Sequence, residues 1–291
     1  MNNFSEKRVL ISGGSRGIGL AIAKKLAKDG AYIAIMAKTQ EPHPKLPGTI
    51  YSAAAEIENE GGIALPIVTD IRFEDQVKNA VEKTVSEFGG LDIVINNASA
   101  ISLTPTTYTA MKSFDLMFNV NVRGTFLISK ECIPHLLKGK NPHILNLSPP
   151  LDMNPKWFSQ TMAYTMSKFG MSQCVLGMAE EFKNDGIAIN ALWPHSVIAT
   201  TAISNIVASD EAFPHCRKAE ILADAAAIIL SKNSKEFTGN FCIDDVLLTK
   251  EGVTDFSIYR MNTSESLWKD FFVPENTPQI EPLIDFMDLS L

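Results

Sequence analysis

The chain has little cysteine: Cys132, Cys174, Cys216 and Cys242 are scattered through 291 residues with no C-x-x-C pair. That spacing excludes a disulfide scaffold or a zinc site, and it fits packed thiols in a reducing compartment. Positive charge is also short. Lys plus Arg number 26 against 33 Asp plus Glu, a net charge of −7. Nucleic acid and anionic membrane surfaces both need a basic face, so neither is expected as the main partner. No apolar run approaches the roughly 18 residues of a membrane span. The opening Met1-Asn-Asn-Phe-Ser-Glu-Lys-Arg leads into an apolar strand with no signal-peptide h-region. The closing Asp-Leu-Ser-Leu lacks the basic residue of a peroxisomal Ser-Lys-Leu ending. A soluble, cytoplasmic chain without a metal is expected.

What remains is ordinary globular composition, with 45% hydrophobic and 20% charged residues. A chain of this length buries about three quarters of its unfolded surface and folds without staples. Short apolar runs alternate with helical patterns. Strands are predicted at Val9–Ser12, Tyr32–Ala37, Ala64–Val68, Leu91–Ile95, His143–Leu147, Ile187–Leu192 and Phe241–Ile243. Helices are predicted at Ile18–Asp29, Ala53–Glu60, Glu74–Phe88, Met111–Leu137 (bent at Pro134), Thr161–Asn184 and Lys218–Leu230. Continuous apolar strands separated by helices specify a parallel sheet covered on both faces. The expected fold is therefore α/β, a Rossmann-type doubly wound sheet of about seven strands in a single domain spanning residues 1–250. Residues 251–291 break the alternation, carry Trp268, Phe271 and Phe272, and read as an extension packed on that core.

The first strand–helix turn reads Ser12-Gly13-Gly14-Ser15-Arg16-Gly17-Ile18-Gly19. Glycines let a backbone turn tightly and approach a pyrophosphate, which a helix N-terminus stabilises through free N–H groups and its dipole. A purely structural turn gives the same letters, but the position after the first strand favours a dinucleotide. The second strand ends Ala37-Lys38-Thr39 where an NAD-selective protein carries Asp or Glu. Arg16 and Lys38 instead suit a 2′-phosphate, so NADP(H) is the expected cofactor. Tyr164 and Lys168 share one helix face at i and i+4, which sets an ammonium beside a phenol. A neighbouring cation favours phenolate and is expected to lower the tyrosine pKa from its usual value near 10. A core tyrosine beside a solvated lysine is the bland alternative.

Gly13, Gly17 and Gly19, then Asn96-Asn97-Ala98-Ser99, Asn121, and Tyr164-x-x-x-Lys168 resemble the short-chain dehydrogenase/reductase family in order and spacing, over roughly residues 5 to 245. The resemblance implies that residues 13–19 hold the cofactor phosphates, Lys38 the 2′-phosphate and Asp70 the adenine, with Ile71 next to it. It sets Asn97 in the cofactor cleft and Pro194 and Val197 beside the carboxamide. Tyr164 would protonate the substrate oxygen and Lys168 would bind the nicotinamide ribose. Asn121 would anchor a proton-relay water. Family likeness also implies a homodimer or homotetramer, paired through Met111–Leu137 and Thr161–Asn184.

Three positions depart from the family pattern. An ungapped match puts Pro149 at the usual catalytic serine, so Ser148 takes that role only with a shift. The usual Pro-Gly is Pro194-His195, and a lone histidine there is as readily structural as functional. The usual Asp-Gly-Gly is Asp244-Asp245-Val246. Apolar segments expected over the site, Ile101–Thr107, Pro149–Phe158 and Val197–Val207, suggest a lipid or steroid-like ketone or aldehyde, although they could simply pack together. Two functions follow: an NADP(H)-dependent carbonyl reductase or alcohol dehydrogenase of lipid metabolism, or an NADP(H)-binding protein with little turnover and a regulatory or assembly role. Intact Tyr164, Lys168 and Asn121 favour the first, and Pro149 the second.

Overall fold

Apolar runs too short for helices become strands, buried on both faces in the middle of the sheet and partly exposed at the β3 edge. They are β1 (Arg8–Ser12), β2 (Tyr32–Ala37), β3 (Ile63–Val68), β4 (Ile93–Asn96), β5 (His143–Asn146), β6 (Ala188–Trp193) and β7 (Phe241–Ile243) in the computed structural model, which describes residues 4–42, 48–201, 203 and 210–285. All neighbours are parallel, in the order β3-β2-β1-β4-β5-β6-β7. The period of two sorts the core. Val9 and Ile11 face a cluster with α1 (Gly17–Ala27), α2 (Ile50–Asn59) and the helix Glu220–Ser231. Leu10 and Val94 face the opposite cluster with α3 (Glu74–Phe88) and the helices that follow β4 and β5. The strand order reverses between β1 and β4, where a crevice opens at the carboxyl ends.

Several boundaries differ from the pattern for identifiable reasons. Helix α2 begins at Ile50 because Thr49 caps it, exchanging hydrogen bonds with Ser52 in a capping box. The stretch Met111–Leu137 is not one α-helix. It divides into α4 (Met111–Met117), a π-helical segment Phe118–Gly124 and α5 (Thr125–Leu136). The irregularity thus lies upstream of Pro134, which α5 contains. The following helices are α6 (Lys156–Ser159), α7 (Met162–Glu181), α8 (Glu220–Ser231) and α9 (Asp244–Lys250). The last, unexpected from the pattern, starts at the departure Asp244-Asp245. Beyond it, β8 (Leu267–Lys269) and β9 (Leu283–Asp285) pair in parallel outside the main sheet.

Candidate active site

A cleft of about 880 Å³ occupies the crevice between β1 and β4. Of the expected cofactor residues, Gly13, Ser15, Arg16, Gly17, Ile18, Lys38, Asp70, Ile71 and Asn97 line it. Gly14 and Gly19 do not. A Cβ on Gly14 would come within 2.5 Å of Ile35, and one on Gly19 within 2.5 Å of Asn97 Nδ2, so both serve close packing behind the loop. Gly13 adopts φ +70, which an L side chain resists. The Asn97 amide donates to the carbonyls of Ser12 and Gly13, stitching the loop to the end of β4.

The donor chemistry of this wall fits the anionic phosphates of a nicotinamide dinucleotide. Helix α1 begins without a side-chain cap and has no acidic residue in its first turn, which leaves N–H groups and a positive dipole end for an anion. Arg16 Nε is buried without a partner among the described residues, and burial lowers the affinity of that guanidinium for its proton. Lys38 reaches Asp70 at 3.5 Å and remains largely exposed. Burial opposes ionisation of Asp70, but hydrogen bonds from Arg72 outweigh it and hold the carboxyl below the usual range.

The expected reaction residues do not line the cleft wall; they are buried behind it, with Tyr164 in an aromatic cluster. Tyr164 and Lys168 sit one turn apart on α7, at 5% and 2% exposure. Lys168 Nζ donates to the Leu147 carbonyl at 2.7 Å and lies 4.9 Å from the Trp193 ring. The expected depression of the Tyr164 pKa is absent. Burial pushes the phenol well above its usual range, Asp270 adds to the rise, and burial lowers Lys168 to about 7. Ser148 is fully buried and its Oγ makes no hydrogen bond among the described residues, whereas the Pro149 carbonyl accepts from Ser172. Asn121 lies in the π-helical segment. Its side chain clasps the Ala100 backbone at 2.7 and 2.9 Å and donates to Ser167, which accounts for the broken helix.

Pro194 and Val197 do not reach the cleft wall, which Thr200 and Thr201 complete instead. The Val197 N–H donates to Trp268 and its carbonyl accepts from Arg217, both at 2.9 Å. Of the expected overlying segment Val197–Val207, residues 202 and 204–207 lie outside the described residues. His195 is buried and does not line the cleft. Its Nδ1 lies 2.8 Å from Asp245, which also accepts from the fully buried Arg217 at 2.8 Å. Burial works against the Asp245 charge, yet His195 and Arg217 hold the carboxyl below its usual range. Asp244 accepts from the His195 and Asp245 amides, and burial with the Asp245 charge lifts it to about 6. Arg217 also binds Glu281, as does Arg260. The two unexpected residues Asp244-Asp245 therefore anchor the chain's end.

A model of the short chain dehydrogenase family matches residues 7–211. The chain belongs to the short chain dehydrogenase family. This is an oxidoreductase family built on the Rossmann-like sheet described above. Among short chain dehydrogenases, the chain is 56% identical over 280 residues to hydroxysteroid dehydrogenase-like protein 2 of Danio rerio, covering 96% of this chain and 66% of that protein. It therefore spans about two thirds of the length of this relative. A putative dehydrogenase from Xanthomonas campestris superposes with TM-score 0.91 at 50% identity, covering 94% of this chain and all of that one. A metagenomic short-chain oxidoreductase solved with NADP shares the fold at 24% identity and TM-score 0.68, covering 82% and 97%.

Motif reading missed the part that the chain's end plays in this short chain dehydrogenase. Phe272 is fully buried against Tyr164, their rings 5.8 Å apart, and Asp270 lies close enough to influence both Tyr164 and Lys168. The only trace in the sequence was the aromatic content of an otherwise polar tail. Among the described residues, no group of His, Cys, Asp and Glu could hold a metal, and no helix is long and apolar enough to cross a membrane.

Proposed function

We propose that this chain is an NADP(H)-dependent carbonyl reductase or alcohol dehydrogenase acting on an apolar, lipid or steroid-like ketone or aldehyde. The observation that carries this reading is the pairing of Tyr164 and Lys168 on one turn of α7, next to a cleft whose wall holds Arg16 and Lys38. The uncapped start of α1 would hold the pyrophosphate, and Arg16 with Lys38 the 2′-phosphate. Asp70 would accept from the adenine amine. The bound nicotinamide would supply a hydride to the carbonyl carbon. Tyr164 then gives its phenolic proton to the carbonyl oxygen, so a phenol kept protonated by burial is ready for reduction. Lys168 would bind ribose hydroxyls and stabilise the phenolate left behind. The unpartnered Ser148 hydroxyl is available to donate to the same carbonyl oxygen, a role that Pro149 cannot fill.

Aromatic and apolar lining around Tyr164, including Trp157 and Phe169, supports an apolar substrate and a place in lipid metabolism. Exposed Met111, Leu116 and Phe126 on α4 and α5, with Met166 and Leu176 on α7, support a homodimer or homotetramer. Four unpaired cysteines suit the cytoplasm. The test is NADPH consumption with a panel of apolar ketones and aldehydes. Tyr164→Phe should reduce turnover by about 10²- to 10⁴-fold with NADPH affinity kept. Burial of Tyr164 also supports a second reading, a cofactor-binding protein with little turnover. Tight NADPH binding with no consumption in wild type would establish that reading instead.

A further inference from the structure

The chain's end crosses the pocket that holds Tyr164. From Trp268 to Phe271 it runs beside the segment that leaves β6. The Val197 N–H donates to the Trp268 carbonyl at 2.9 Å, and Ser196 and Lys269 form an antiparallel bridge. The Asp270 N–H donates to the His195 carbonyl at 3.0 Å, and Trp193 Nε1 to the Phe271 carbonyl at 2.7 Å. At Phe272 the backbone then turns through φ +64, which bulky side chains rarely adopt. The ring is left with no exposed surface. Its centroid lies 5.8 Å from those of Trp157 and Tyr164, 5.5 Å from Phe169 and 6.0 Å from Trp193. Such a conformation persists only where the surroundings over-determine it, and it is concentrated at functional sites.

The chemistry makes a demand that this seal denies. A general acid has to come within hydrogen-bond reach of the oxygen it protonates. Tyr164 keeps 5% of its surface, and the cofactor cleft stops at Ala100 and Leu103, which pack against the same aromatic cluster. An apolar ring tilted 37° against the phenol, its centroid 5.8 Å away, fills the space beside Tyr164 that an apolar carbonyl compound would need. Its polar ties include backbone hydrogen bonds to His195 and Val197, the bond from the Trp193 indole and an exposed ion pair from Lys156 to Glu275, and the last contributes little. We propose that Phe272 occupies the substrate's place on Tyr164, so that Asp270–Val273 withdraws when an apolar ketone or aldehyde binds and Phe272 determines which substrates enter. This rests on the reductase reading above.

The chain's three tryptophans, Trp157, Trp193 and Trp268, all touch or belong to this strap, so their fluorescence reports on it. Phe272→Gly removes the ring and accommodates the left-handed turn; Phe272→Leu only shortens it. Both are measured for acrylamide quenching and for binding of decan-2-one by tryptophan emission. Quenching should rise in Phe272→Gly, and the ketone should bind about tenfold more tightly than to wild type, with Phe272→Leu between them. In turnover, KM should fall with kcat little changed. Unchanged quenching, or ketone binding no tighter in either folded variant, overturns the proposal. If Phe272→Gly does not fold, Phe272→Leu carries the same test. Tighter ketone binding with no NADPH consumption in any protein leaves the strap standing and removes the reductase reading. Consumption with the same KM in all three leaves the reductase and removes the strap.

Discussion

The cofactor cleft and the Tyr164 pocket are neighbours that share Ala100 and Leu103, yet they are built in opposite ways. The cleft is open, lined by short loops at strand ends, and its glycines and cations come from local stretches. The pocket is closed, aromatic and assembled from residues as far apart as Met117 and Val273. An open cleft suits a cofactor that the protein receives whole. A closed pocket suits chemistry from which water is excluded, and it makes access a property of the protein rather than of the substrate alone.

The comparison breaks most severely at the ion network beneath the strap. Asp245→Ala leaves Arg217 buried with half its partners gone, and should cost about 3–5 kcal/mol. Calorimetry should show that loss while NADPH affinity at low temperature is retained. An equal loss of NADPH affinity would mean that the two regions are one unit. Next, Lys38→Ala should weaken NADPH by about 1.5–3 kcal/mol, roughly ten- to a hundredfold, and leave NADH unchanged by titration calorimetry. Equal weakening of both cofactors would remove Lys38 as the 2′-phosphate reader. Gly19→Ala pushes a methyl group into Asn97 and should cost about 1–3 kcal/mol, with NADPH binding impaired and tryptophan emission unaltered.

The smallest effect depends on pH. Asp270 keeps some accessible surface, but the protein packed around its carboxyl dominates, and burial lifts it to about 7 with Asp244 adding to the rise. The folded state therefore holds this proton more tightly than the unfolded chain does. Its stabilising contribution is complete below about pH 4 and is lost as pH rises to about 7. Asp270→Asn should accordingly match wild type near pH 4 and gain roughly 2–4 °C in Tm at pH 8. A gain at low pH, or a loss at high pH, would show that the ionised carboxylate is favoured instead.

The seven strands were legible because continuous apolar runs and glycine stops are written locally, whereas the strand order that opens the crevice between β1 and β4 was not. That Gly13, Arg16 and Lys38 line one cleft follows from the same local signals. The broken helix at Phe118–Gly124 was not, since it comes from Asn121 reaching Ala100, a contact without a local signature. Val197 was expected beside the cofactor but gives both backbone groups to Trp268 and Arg217, because the tail adds a neighbour that the first part of the chain does not announce. The phenol–ammonium pairing read correctly as helix geometry and misled as electrostatics. The spacing of Tyr164 and Lys168 says nothing of how deeply Phe272 and Asp270 bury them.

The most direct test of an open cleft beside a sealed acid is tyrosine nitration, resolved by residue with mass spectrometry. The five tyrosines supply their own controls, since Tyr108 is 80% exposed and Tyr51 52%. The account predicts fast nitration of Tyr108 and Tyr51, none at Tyr164 in wild type, and reaction at Tyr164 once Phe272→Gly removes the ring. Nitration of Tyr164 in wild type as fast as Tyr108 would contradict it.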